Sequence, residues 1–183
     1  MGVLRPIFNA MNTKKIAYGG ILAALYVVLT YAQNLLWPGS TSMAIQMRMS
    51  EALCIFAFFT PAAIPGLTLG CLIYNVSWAQ SLPLDWLVGS LATLLATASM
   101  WLLRNVRLRK IPVLGLLMPA LWNAPLVGWE LAVYFGENGF TWGVFLLNAL
   151  YVFLGEAIVL LVLGTALYCA MTARGLDRRL FPA

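Results

Sequence analysis

"AIQMRMSEALCIFAFF", Ala44 to Phe59, puts an arginine and a glutamate three residues apart and then runs straight into apolar sequence. An ionised side chain resists leaving water unless another group completes its bonding. Arg48 and Glu51 at the head of such a run therefore demand either a partner or a water-reaching cavity. What surrounds the stretch decides which.

Of the 183 residues, 62 % are hydrophobic and only 9 % charged, and the mean hydropathy is +0.88. Soluble domains carry about 25 % charged residues, so this chain cannot cover itself with a water-facing surface. The composition describes a single-domain, all-α integral membrane protein. The formal charge of +5 does not argue for a nucleic-acid partner, because the basic residues cluster between apolar runs, as topology signals do. Cys54, Cys71 and Cys169 lie singly in apolar runs and read as packing residues rather than a disulfide or metal site. Histidine is absent, which removes the commonest metal ligand and His-based catalysis. No cofactor is expected in this chain.

A bilayer core requires about 20 apolar residues per helix. That ruler predicts six transmembrane helices near Ile16–Ala32, Met43–Phe59, Ala62–Trp78, Leu84–Leu103, Pro112–Phe135 and Trp142–Met171. The first run exceeds the ~7–15 residues of a signal-peptide core and is read as a retained helix. Arg5, Lys14 and Lys15 precede it, Arg104, Arg107, Arg109 and Lys110 follow the fourth helix, and Arg174, Arg178 and Arg179 follow the sixth. With six spans these clusters share one side, so both termini are expected in the cytoplasm. The chain then divides into a cytoplasmic segment (1–15), a transmembrane domain (16–172) and a cytoplasmic tail (173–183). Arg48 is the basic residue left outside the clusters.

Given that orientation, the intramembrane polar residues gather toward the outer side. Gln46, Arg48 and Glu51 lie in the outer half of helix two. Asn75 and Trp78 end helix three, Asp85 opens helix four, and Asn148 and Tyr151 lie in the outer half of helix six. Trp122 and Asn123 fall near the middle of helix five, bracketed by Pro119 and Pro125, and Glu130 lies seven residues further on the same face as Asn123. An ideal helix puts Gln46 opposite Arg48 and Glu51, so the start of helix two is expected to be irregular. Polar groups at membrane depth usually line a cavity or pathway, and the economical reading is one outward-facing pocket for a small, flat, polar ligand. The bland alternatives are a structural Arg48–Glu51 pair, interhelical bonds for the asparagines, an interfacial belt for the tryptophans, a solvated Glu130 and a structural or protonated Glu156.

Helix one begins "KKIAYGGILAALYVVL", in which Gly19–Ala23 and Gly20–Ala24 are small-xxx-small pairs. Such pairs let another helix approach closely in lipid, inside the bundle or from a partner protein.

"QMRMSEAL" (Gln46–Leu53), "GLTLGCLIYN" (Gly66–Asn75), "DWLVGSLATLLA" (Asp85–Ala96) and "ALY" (Ala24–Tyr26) together resemble the QueT family. These are substrate-binding S components of energy-coupling factor (ECF) transporters, assigned to queuosine precursors. The resemblance implies six helices, a 7-deazaguanine substrate (pre-queuosine base, queuine or queuosine) taken from outside, and no ATPase in this chain. It implies docking through Gly19, Gly20, Ala23 and Ala24 on a membrane coupling protein driven by two ATPase subunits, although glycine stands where the family pattern has alanine. It also implies a bacterial plasma membrane. The rival readings are the same fold with another vitamin-like ligand, a self-contained secondary transporter, and an intramembrane enzyme, for which no GxSxG or HExxH motif is present.

Overall fold

The computed structural model describes residues 13–41, 45–78, 81, 84–136 and 139–181. Regular structure there is helical: α1 (Thr13–Leu36), a 3₁₀ helix (Met49–Phe58), α2 (Ala63–Ser77), α3 (Asp85–Leu102), α4 (Val113–Leu116), α5 (Met118–Phe135), α6 (Trp142–Val159), a π-helical segment (Leu160–Gly164), α7 (Thr165–Ala173) and α8 (Leu176–Leu180). An isolated β-bridge pairs Leu108 with Ile111.

Among the described residues four segments are long and apolar enough to cross a membrane: Thr13–Leu36, Asp85–Leu102, Val113–Phe135 and Trp142–Ala173. The other two expected spans are shorter. Helix α2 has 15 residues, and the stretch predicted as a helix over Met43–Phe59 is regular only as the ten-residue 3₁₀ helix. Residues 43–44 of that prediction lie outside the described part, residues 46–48 have no regular structure, and Arg48 is extended. A 3₁₀ helix rises ~2.0 Å per residue against ~1.5 Å for an α-helix. Ten residues therefore reach about 20 Å rather than about 15 Å. Nearly all of its side chains are buried, from Ser50 through Phe58. It is a core strut enclosed by α1, α2, α3, α6, the π segment and α7, which is why it is apolar all round rather than on one stripe.

Around the strut, α1, α2, α3, α5 and α6 pack each on the next. The α1–α2 contact is made by small residues. A Cβ on Gly66 would stand 2.5 Å from the Gly19 carbonyl oxygen and 2.8 Å from its Cα, and one on Gly70 would stand 2.8 Å from the Ala23 carbonyl oxygen. The matched order of these pairs makes α1 and α2 parallel. Gly19 and Ala23 thus pack within the bundle, one of the two placements that the sequence leaves open. Gly20 is open, with nothing within 4 Å of where its Cβ would be, and Ala24 is exposed.

The single helix expected over Pro112–Phe135 is instead interrupted at Leu117 and restarts with Pro119 in the first turn of α5, where a missing N–H costs no bond. Pro125 sits inside α5 and frees the carbonyl one turn before it. Beyond α7 the tail turns at Gly175, in the left-handed region (φ 62°), into α8.

Burial is inverted relative to a water-soluble bundle. Large apolar side chains point outward along α1 (Ile21, Leu25, Val28), α3 (Leu87, Leu91) and α6 (Leu146, Leu150, Leu154), while Thr30, Gln33, Asn34, Arg48, Glu51, Asn75, Glu130 and Glu156 are buried. Aliphatic surface on that scale belongs against lipid. The chain is a helical membrane protein.

Candidate functional site

One end of the bundle gathers the C-terminal halves of α1, α2 and α5 and the N-terminal halves of α3 and α6. Its polar groups fall into two sets, those bonded within the protein and those without a protein partner.

The bonded set begins on α1. Tyr26, Thr30, Gln33 and Asn34 recur at helical spacing and are all buried. Tyr26 donates to Glu51 Oε1 at 2.6 Å, and the Cys54 thiol donates to Glu51 Oε2 at 3.2 Å. Three residues per 3₁₀ turn place Cys54 directly over Glu51. Thr30 donates to Ser50 Oγ at 2.8 Å. Gln33 donates to the Met47 carbonyl at 2.5 Å and accepts from the Met49 amide at 2.8 Å, splinting the irregular entry to the strut. Asn34 donates to Thr41 at 2.7 Å and to the Tyr74 hydroxyl. Arg48 donates through Nε to the Thr41 carbonyl at 3.1 Å.

Arg48 is the hub. It is buried, its charge faces Tyr26, Cys71, Asp85 and Glu51, and its Nη1 reaches 3.9 Å from where a Gly89 Cβ would be. The absence of a side chain at Gly89 also admits Asn75 Nδ2, 2.7 Å from that same point. Asn75 donates to the Asp85 carbonyl at 2.9 Å, which orients its amide and leaves Oδ1 as the free end. Below the hub, the Asn123 amide donates to both oxygens of Glu156 at 2.8 Å, and Glu156 in turn faces Glu51 and Arg48. Glu156 is therefore the acceptor that fixes Asn123.

The second set consists of buried atoms with no hydrogen-bond partner among the described residues: Gln46 Oε1, Asn75 Oδ1, Trp78 Nε1, Ser90 Oγ, and both carboxylate oxygens of Glu130. Glu130 is fully buried and faces Asp85 and Arg48, so the reading of it as a solvated surface carboxylate is corrected. Leaving a buried polar atom unpaired costs about 1–3 kcal/mol, more for a charged one. Trp78 stacks on Tyr74 with centroids 6.0 Å apart and meets Tyr31 edge-on at 5.6 Å, so its ring is held while its N–H is not used.

The sequence-derived set is thus brought together in part. Gln46, Arg48, Glu51, Asn75, Asp85 and Glu130 lie in one neighbourhood, with Asn123 beneath. The backbone of Gln46 packs on Gly155 of α6, where a Cβ would collide with it. Trp122 is drawn elsewhere: its Nε1 donates at 3.0 Å to Ser99 Oγ, near the far end of α3. Asn148 and Tyr151 are half-buried on α6, about two turns and one turn from Gly155.

Comparison with known proteins accords with this architecture. The profile of the QueT transporter family matches residues 16–173. The chain belongs to the QueT transporter family. The queuosine precursor transporter QueT of Lactococcus lactis subsp. cremoris (strain MG1363) is 40 % identical over 80 residues, 40 % of this chain and 41 % of that protein. The alignment therefore spans about two fifths of the curated relative's length. No solved structure matches the chain.

Within this QueT family chain, reasoning from sequence missed Tyr26, Thr30, Gln33, Asn34, Cys54 and Ser90. A signal existed for the first four: a polar stripe at spacings of four, three and one along an otherwise apolar helix. Nothing in the local pattern distinguished Cys54 or Ser90.

Proposed function

We propose that this chain is the membrane substrate-binding component of an ECF-type transporter importing a queuosine precursor, a 7-deazaguanine recognised at the polar end of the bundle. One observation carries the reading: the buried atoms without a hydrogen-bond partner among the described residues are mostly acceptors. Gln46 Oε1, Asn75 Oδ1 and the two Glu130 oxygens accept, Trp78 Nε1 donates, and Ser90 Oγ can do either. A guanine-like edge presents a ring N–H beside an exocyclic amine, and one carboxylate can accept both in parallel. Its carbonyl calls for a donor, which Trp78 Nε1 or the Arg48 fork supplies. An aminomethyl cation on the deazapurine would be favoured by the remaining carboxylate charge.

In this reading the chain crosses a bacterial plasma membrane six times, with the 3₁₀ strut and α2 counted as passes and both termini in the cytoplasm. It contributes no ATPase and no cofactor. A coupling membrane protein and two ATPase subunits supply the work, and Gly20 and Ala24 are the members of the α1 small-residue set still open to that partner.

Calorimetric titration of the purified chain with pre-queuosine base, queuine, guanine and B vitamins tests it. Saturable binding of a deazaguanine, with guanine markedly weaker, is expected. Tight binding of a vitamin and none of any deazaguanine would transfer the site to the rival S-component reading. Uptake persisting in cells without coupling ATPases would favour a self-contained transporter.

A further inference from the structure

The opposite end of the bundle carries a second constellation, which substrate binding does not use. Residues 103–112 connect α3 to α4. Arg104 is committed locally, its Nη1 donating to the Trp101 carbonyl at 2.7 Å and its guanidinium lying 3.9 Å over the Trp101 ring. The following residues alternate basic and apolar: Val106, Arg107, Leu108, Arg109, Lys110, Ile111. A bridge between Leu108 and Ile111 closes them into a tight turn. Arg109 there takes a left-handed backbone, φ 60°, a conformation that is strained in a non-glycine residue.

Two adjoining clefts open beside this turn and share Arg107. The larger, about 970 Å³, is lined by Arg107 and Arg178 with Asp177 and Thr172, over Phe59 and Phe181. The smaller, about 540 Å³, takes Arg109, Lys110 and Tyr168. Their floor is rigid: Tyr168 stacks on Phe59 at 5.6 Å, and Phe59 on Phe181 at 6.5 Å. On the same turn, Val106 (51 %) and Leu108 (72 %), which flank Arg107 in the chain, are exposed. Cations over an aromatic floor with exposed aliphatic residues on the segment that carries them match a molecule that is anionic at its head and hydrocarbon at its tail. A water-soluble anion would have no use for that aliphatic pair.

We propose that these clefts bind the headgroup of an anionic phospholipid. Arg107 and its basic neighbours hold the phosphate diester, Asp177 accepts from headgroup hydroxyls, and the acyl chains run over Val106 and Leu108. The competing account is that the basic residues act only as topology signals, in which case they attract anionic lipid diffusely and interchangeably with Lys14 and Lys15.

The test uses the full chain in nanodiscs of phosphatidylcholine doped with phosphatidylglycerol, reading retained lipid by native mass spectrometry and the melting temperature. A basic side chain near an anionic surface is worth about five-fold in lipid affinity. Native chain is expected to retain phosphatidylglycerol over phosphatidylcholine, and Arg107→Gln with Lys110→Gln to lose that preference by ten-fold or more. Arg107→Lys should restore part of it, and Lys14→Gln with Lys15→Gln should leave it intact. Deazaguanine affinity in detergent should be unchanged in all of these variants. Equal loss in the Lys14/Lys15 control, or no preference in the native chain, overturns the proposal. So does equal stabilisation by inorganic phosphate, or by an acidic peptide without lipid, because either would make Val106 and Leu108 irrelevant.

Discussion

Glu51 and Glu130 are both fully buried, yet replacing each by glutamine should move stability in opposite directions. Glu51 accepts from Tyr26 at 2.6 Å and from Cys54 at 3.2 Å. A glutamine there keeps one acceptor and turns an N–H₂ toward a group that donates. Hydrogen bonds to charged groups contribute about 1.5–3 kcal/mol, and for a chain of this size that is roughly 3–12 °C of melting temperature. Glu51→Gln should therefore melt lower without ligand. Among the described residues no hydrogen-bond donor reaches the Glu130 oxygens, and its acidic neighbour is Asp85. Glutamine there relieves the crowding of two carboxyl groups, so Glu130→Gln should melt at the native temperature or higher. Its ligand affinity should fall about 10- to 150-fold, the same 1.5–3 kcal/mol now expressed as binding. The assay is differential scanning fluorimetry with and without a deazaguanine, paired with calorimetric Kd values. A Glu130→Gln variant that melts well below native and binds normally would refute the reasoning, because Glu130 would then be holding the fold.

Gly66→Ala should destabilise by about 1–3 kcal/mol, since its Cβ would press on Gly19 backbone that cannot move aside, while Gly20→Ala should be neutral or slightly stabilising; thermal melts of the two compare them. Asn123→Ala should cost about 1–3 kcal/mol by leaving both Glu156 oxygens unpartnered, and Asn123→Ala combined with Glu156→Gln should recover part of that loss in the same assay. Gly89→Ala should displace the Asn75 amide from the Asp85 carbonyl and weaken ligand binding several-fold with a small change in melting temperature, read by calorimetry and fluorimetry together.

The membrane class and the helical content were legible because hydropathy acts through composition, which needs no tertiary information. The 3₁₀ strut was not. Its residues, Met49 to Phe58, are as apolar as a lipid-facing helix, and only the neighbours that enclose it distinguish a core element from a span. The same limit applies at the site. The basic clusters and the expected passes put Gln46, Arg48, Asn75, Asp85 and Glu130 toward one side, whereas ideal helical spacing set Gln46 opposite Arg48. Spacing could not say that Glu51 would be consumed by Tyr26 and Cys54 while Glu130 went unpaired, because that depends on atoms from three segments. Trp122 shows the converse failure: adjacent in sequence to Asn123, it turns to Ser99 on another helix. The small residues of α1 were read as one stripe and proved to be two, with Gly19 and Ala23 inward and Gly20 and Ala24 outward.

The most direct test of the central claim is an experimental structure of the chain with a bound 7-deazaguanine. The account predicts the ligand within hydrogen-bonding distance of Glu130, Asn75 Oδ1 and Gln46 Oε1, with the Glu51 oxygens still held by Tyr26 and Cys54. A ligand seated elsewhere, with the Glu130 carboxylate bonded instead to another side chain of the protein, would contradict it.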